Sequence, residues 1–208
     1  MRTTPLTIAL VASNVLAFLW ELTTGSLDNS LVLLKDGALY GPLVVDAHQY
    51  WRIASAAFLH GGWAHIALNM FALYVVGRFV ETVAGSVRMF FIYALAMIGS
   101  GIAVVLFSYT DLTLGASGAI FGLFGAIVAI GMKLGRPGRA LIAQTAPIIL
   151  LNLAFGFAIP NISNAAHIGG LISGYLAGLL IYWPPRRRPA PYVADTYHAT
   201  DAEGASPE

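Results

Sequence analysis

Residues 114–134 read LGASGAIFGLFGAIVAIGMKL, an apolar run opened by Gly115-Ala116-Ser117-Gly118. An α-helix rises about 1.5 Å per residue, so about 20 residues cross the ~30 Å of hydrocarbon in a bilayer. Runs of similar size lie at 6–23, 63–82, 89–109, 139–159 and 162–183. The run at 63–82 is the most polar, holding His65, Asn69, Arg78 and Glu81. Stretches such as Met89–Phe107 do not alternate polar with apolar residues, which argues against a barrel. The expected fold is an all-α membrane protein, a bundle of six transmembrane helices.

Composition agrees. Of 208 residues, 58% are hydrophobic and 10% charged, with a mean hydropathy of +0.75. Soluble domains carry about 25% charge, so a soluble enzyme and a disordered chain are disfavoured. A net charge of +1 offers no field for nucleic acid. With no cysteine there is no disulfide, thiolate nucleophile or thiolate metal ligand. The first run is longer than a signal-peptide core and is followed by no clear small-x-small site, so it reads as a retained span.

Basic residues favour the cytoplasmic side. A cytoplasmic N-terminus places nine of the eleven inside: Arg2, Arg78, Arg88, Lys133, Arg136, Arg139 and Arg186–Arg188. Only Lys35 and Arg52 fall outside. Both termini are then cytoplasmic, and a bacterial-type inner or plasma membrane is the expected location. Residues 1–183 form one membrane domain. Within it, 24–62 is a long outer connection with turn signals at Asp36-Gly37 and Gly41-Pro42, of a length that is usually functional or a small substructure. Residues 184–208 read as a basic anchor and a disordered cytoplasmic tail. With 208 residues, no extra folded cytoplasmic domain and no seventh span are expected.

Polar groups at membrane depth are costly, and here they cluster. His65 and Asn69 are four apart on one helix face. Ser117 opens the fourth run and His167 the sixth, within Ala166-His167-Ile168-Gly169-Gly170. Counting from the outer end of each run, Ser117 lies ~5 Å in, His167 ~8 Å and Asn69 ~9 Å. Gly118 and Gly122 are spaced four apart, as are Gly170, Gly174 and Gly178; such faces let membrane helices approach closely. A close contact between the fourth and sixth runs puts Ser117 beside His167. A neutral imidazole at about 2.6–3.2 Å can take the serine proton. Attack on a peptide carbonyl then makes an oxyanion, for which His65, Asn69 and the backbone N–H of Ser117 are candidate donors. No acid lies in the outer halves of the second, fourth and sixth runs, so a Ser–His dyad is expected. Asp111 reads as a solvated loop charge.

These residues resemble the rhomboid intramembrane serine proteases. The motifs are His60-x4-His65-x3-Asn69, Gly115-Ala116-Ser117-Gly118 and Ala166-His167-x2-Gly170-x3-Gly174, in order on spans two, four and six. Trp51-Arg52 and Glu81 also look like family features. The resemblance implies a six-helix rhomboid-like bundle with a water-filled cavity open to the outside. It implies Ser117 as nucleophile, His167 as base, and His65, Asn69 and the Ser117 amide as oxyanion donors. His60 resembles a residue that supports the loop below the cavity, and Gly115, Gly118, Gly170 and Gly174 are supporting. Many members carry a tyrosine four residues after the serine, stacked on the histidine; here it is Phe121, which keeps the ring without the hydroxyl. The implied activity is endopeptidase cleavage of transmembrane proteins in or near their membrane helix, with access between spans two and five. The implied partners are such substrates and membrane lipid, not nucleic acid. No cofactor or metal is expected.

Other readings stand beside these. Ser117 can be a packing residue, and His65 with Asn69 a structural pair. Tyr50 and Trp51 read as interface anchors, and Arg52 as pairing with a carbonyl or headgroup. Glu81 reads as pairing with Arg78 or capping a loop. A zinc site from His60, His65 and His167 lacks a nearby carboxylate and the His-Glu-x-x-His pattern. The non-enzymatic alternative is a catalytically inactive rhomboid-like binder of transmembrane clients. The substrate's identity and the oligomeric state are not readable from the sequence.

Overall fold

A proline at the first helical position and a glycine just past the end bound span one. It runs Pro5–Thr24 and stops at Gly25, whose φ of 78° is left-handed. A computed structural model describes residues 3–159 and 162–184. The tail and the basic run Arg186–Arg188 lie outside the described residues, as does Arg2. Five further helices are long and apolar enough to cross a membrane: Trp63–Ala84, Ser86–Phe107, Ser117–Leu134, Gly138–Ala158 and Asn164–Ile181. We refer to them as spans two to six. The molecule is all-α, and among the described residues the single β-type pairing is an isolated antiparallel bridge, Leu39 with Thr113.

Span four is the axis of the bundle. In its most apolar window 72% of residues are buried, against 11% in span five. Inside hydrocarbon there is no water to expel, so close packing of small residues replaces the hydrophobic effect as the source of helix association. A Cβ built on Gly170 would overlap the Gly118 carbonyl, and one on Gly174 the backbone of Gly122. Spans four and six therefore meet backbone to backbone at the two glycine pairs expected. Span three closes on the same seam: Gly118 abuts Ser100, Gly122 abuts Ala96 and Gly169 abuts Ala103. Around it sit the fully buried Leu73, Met89, Ile92, Leu123 and Ile130.

Span two is not one regular helix. Residues Trp63–Ala72 are α-helical, Leu73–Gly77 form a π-helical turn, and Arg78–Ala84 resume the α-helix. The lower part carries Glu81, which neither pairs with Arg78 nor caps a loop. Its carboxylate accepts from the backbone N–H of Leu6 (2.9 Å) and of Thr7 (2.8 Å), from the Thr7 hydroxyl (2.6 Å) and from the Ser86 hydroxyl (2.7 Å). Glu81 thus caps the first turn of span one, where backbone donors lack intrahelical acceptors. Arg78 instead donates to the Tyr74 hydroxyl at 2.6 Å.

The outer connection is a small substructure of helical turns, Ser30–Asp36, Gly41–Val45, Arg52–Ser55 and Ala56–Phe58. Asn29 caps the first by accepting from Leu31 N–H at 2.9 Å. Arg52 ties the rest together. Its guanidinium is buried and donates to the carbonyls of Leu34 (2.6 Å) and Ala38 (2.9 Å) and to the Gln49 side chain (2.6 Å). Burial lowers the Arg52 pKa from its ordinary value. Tyr50 and Trp51 are exposed, as interface anchors would be.

Candidate active site

Span four begins three residues later than its apolar run suggests. Residues 114–116 are small or apolar, so hydropathy cannot separate them from the helix. The backbone does: Gly115 has φ +114°, a conformation L side chains rarely adopt. A Cβ there would also lie 2.7 Å from Nε2 of His65. This turn makes Ser117 the first residue of the helix, with its N–H among the amides that lack an intrahelical acceptor. The segment before it is held to the outer connection. Leu39 and Thr113 exchange two backbone bonds of 2.9 Å, and the Gly115 N–H donates to the Ala56 carbonyl at 2.8 Å.

His167 is the fourth residue of span six, whose start is capped by Ser163: the Ser163 hydroxyl accepts from the Ala166 N–H at 3.2 Å. The close approach of the glycine faces brings His167 Nε2 to 3.0 Å from Ser117 Oγ. Phe121, one turn along from Ser117, stacks on the imidazole with centroids 4.1 Å apart and planes 9° from parallel. His167 is buried, and among the described residues its Nδ1 has no hydrogen-bond partner. Among the described residues, the arrangement is a hydroxyl and an imidazole in contact without a third, orienting carboxylate. With Nε2 unprotonated, such an imidazole can take the serine proton and return it.

His65 and Asn69 lie on the facing side of span two. The Gly61 N–H donates to His65 Nδ1 at 3.3 Å. A backbone N–H can only donate, so in a neutral ring the proton stands on Nε2, the atom turned toward Gly115. Asn69 is buried, and its amide donates to the His65 carbonyl at 2.9 Å. It sits one turn below His65, without a direct bond to Ser117. His60 is fully buried and does not touch Ser117. Its Nδ1 donates to the Phe58 carbonyl at 3.2 Å, and its ring meets His65 edge-on with centroids 5.0 Å apart. Burial above all, and the neighbouring His65, lower the His60 pKa to about 4, against the Phe58 bond, which raises it. His60, His65 and His167 do not converge as three metal ligands, nor does any such group among the described residues.

One acid that the sequence reading passed over supports this region: Glu21, fully buried in span one, whose carboxylate accepts from the His60 N–H at 2.9 and 3.1 Å. Its signal was available: an ionisable residue in an apolar span is expensive and needs a named partner. Asp111 is exposed, in line with a solvated loop charge.

Residues 47–184 match the family described as Rhomboid domain. Over 168 residues the chain is 40% identical to a protein named rhomboid protease GluP from Bacillus subtilis (strain 168), covering 80% of this chain and 32% of that one. It is 34% identical over 176 residues to RHOMBOID-like protein 1 of Arabidopsis thaliana, covering 80% and 45%. A further Arabidopsis thaliana relative, 33% identical over 158 residues and covering 74% of this chain and 45% of its own, is named inactive RHOMBOID-like protein 8. The chain spans about a third to a half of the length of these relatives. A match across about two thirds of the sequence, on a six-span bundle, makes this chain a member of the rhomboid family.

Proposed function

We propose that this chain is an intramembrane serine endopeptidase, cutting transmembrane proteins in or near their membrane helix. The observation that carries the proposal is the 3.0 Å separation of Ser117 Oγ and His167 Nε2 across spans four and six. Nothing in helix packing alone calls for a hydroxyl and an imidazole at that depth.

In the reaction, His167 Nε2 accepts the Ser117 proton as Oγ bonds to the scissile carbonyl carbon. The carbonyl oxygen becomes an oxyanion. The N–H of Ser117 and the Nε2–H of His65 serve as its donors, and Asn69 joins them by turning its amide from the His65 carbonyl. Each such donor is worth about 3–4 kcal/mol of barrier. The imidazolium then protonates the leaving amine, and the peptide bond breaks. Water, deprotonated by the same nitrogen, hydrolyses the acyl-enzyme and restores Ser117. Phe121 holds the ring plane of His167 through both halves, a task that a triad gives to a carboxylate. Substrate reaches the site from the bilayer between spans two and five. Residues 1–183 form the catalytic unit, 184–208 its cytoplasmic tail, and the location is a bacterial-type inner membrane with both termini inside.

An inactive relative exists within the family, so membership alone does not carry activity; a client-binding member would not need the serine and histidine in contact. Labelling of purified protein by a fluorophosphonate, with site mapping, separates the two. The expected adduct is on Ser117, lost in His167→Ala, with Ser117→Ala unable to cleave a membrane substrate. Labelling at another serine, or cleavage retained by Ser117→Ala, refutes the proposal.

A further inference from the structure

Glu21 has no part in the steps above, yet it is one of the costliest residues in the molecule. It is 0% exposed near the outer end of span one, and both its oxygens converge on one backbone donor, the N–H of His60, at 2.9 and 3.1 Å. A bond from an amide to a carboxylate is among the stronger hydrogen bonds a protein makes. The next amide along, that of Gly61, is the one that donates to His65 Nδ1. The His60 ring, held through Nδ1 by the Phe58 carbonyl, stands against the edge of the His65 ring. Two consecutive residues therefore grip His65, one by a hydrogen bond and one by contact, and Glu21 holds the backbone amide of the first, His60.

The grip decides which nitrogen of His65 carries the proton. Were residues 60 and 61 to shift, the Gly61 amide would leave Nδ1, and the neutral ring would be free to exchange its Nε2–H tautomer for the other. We propose that Glu21 is a positioning residue: through the His60 amide it fixes the 60–65 segment so that His65 presents an Nε2–H to the oxyanion formed at Ser117. The proposal rests on the serine-protease assignment and adds a span-one side chain to it.

The full chain is purified as the native protein and as Glu21→Gln, Glu21→Asp and Glu21→Leu. For each, kcat, KM, fluorophosphonate labelling and the 15N spectrum of selectively labelled histidine are recorded, with His65→Gln assigning the His65 signals. Glutamine keeps an acceptor oxygen at the same reach, so Glu21→Gln retains kcat within about threefold and a single Nε2–H tautomer at His65. Leucine has no acceptor, so Glu21→Leu lowers kcat by ~10- to 100-fold, the range of a weakened oxyanion donor, with KM within about twofold and mixed tautomers at His65. Native kcat in Glu21→Leu overturns the proposal, as does a Glu21→Gln protein as slow as Glu21→Leu. If Glu21→Leu does not fold, the shorter Glu21→Asp decides: lowered kcat with mixed tautomers upholds the proposal, native values of both overturn it. If the native protein neither cleaves nor labels, the protease assignment fails, while the His65 tautomer still answers for Glu21.

Discussion

Spans four and five are neighbours in sequence and opposites in environment. Span four is enclosed over most of its length, with glycines meeting the backbone of span six and side chains of span three. Span five is almost bare to the bilayer, carries Pro147 inside the helix, and turns Leu150, Leu151, Phe155 and Phe157 outward. Both are apolar enough to cross a membrane; what separates them is the size of the residues on the contact face. The Ser117–His167 contact stands on the seam between spans four and six. A 3.0 Å contact between two helices needs a fixed interhelical distance, and backbone-to-backbone packing sets one. Span five meets span four backbone to backbone at its first residue, Gly138 against Gly131, well along the chain from Ser117, so its displacement would disturb the Ser117–His167 contact least.

The contrast can be broken most severely at the seam. Gly174→Val would drive a branched side chain into the backbone of Gly122; we expect Ser117 labelling to fall at least ~1000-fold, with stability lowered by about 3 kcal/mol. Labelling within tenfold of native would mean that the seam does not set the dyad distance. Next comes span two, which faces the seam: Asn69→Ala should slow kcat by ~10- to 1000-fold with little change in melting temperature, as for a lost oxyanion donor. A loss of stability with kcat intact would return Asn69 to packing. Glu81→Ala leaves the Leu6 and Thr7 amides without their acceptor, and thermal unfolding in detergent should report a loss of about 2–4 kcal/mol. Phe121→Leu removes the stack on His167 and should cost ~3- to 10-fold in kcat, with a stack worth roughly 0.5–1.5 kcal/mol. Smallest of all, Leu151→Ala on the bare face of span five should change stability by less than about 0.5 kcal/mol; a larger drop would mean that span five is held by more than lipid.

Much of this was open to sequence reasoning, for physical causes that can be named. Span limits came within about three residues because hydropathy is local. The contact of Ser117 with His167 followed from two glycine spacings, since small residues four apart have few uses in a bilayer other than close approach. What escaped was of another kind. Hydropathy does not register a positive φ, so Gly115 and its neighbours were merged with the helix they precede. Glu81 bonds Thr7 across 74 positions, and Glu21 bonds His60 across 39; no periodicity links such residues. The helical turns of the outer connection are too short to carry one.

The five-residue π-turn at Leu73–Gly77 has a consequence for what the chain can lose. One residue more than an α-helical turn requires is spent there, and each residue advances a helix by about 100° of azimuth. Above the turn, span two carries Asn69 and the His65 whose Nε2 stands against Gly115; below it, Glu81 bonds Thr7. Deleting a single amino acid from that segment would restore an unbroken helix and swing one of these two faces to a wrong compass bearing, so that the proposed oxyanion donors and the helix cap could not both find their marks.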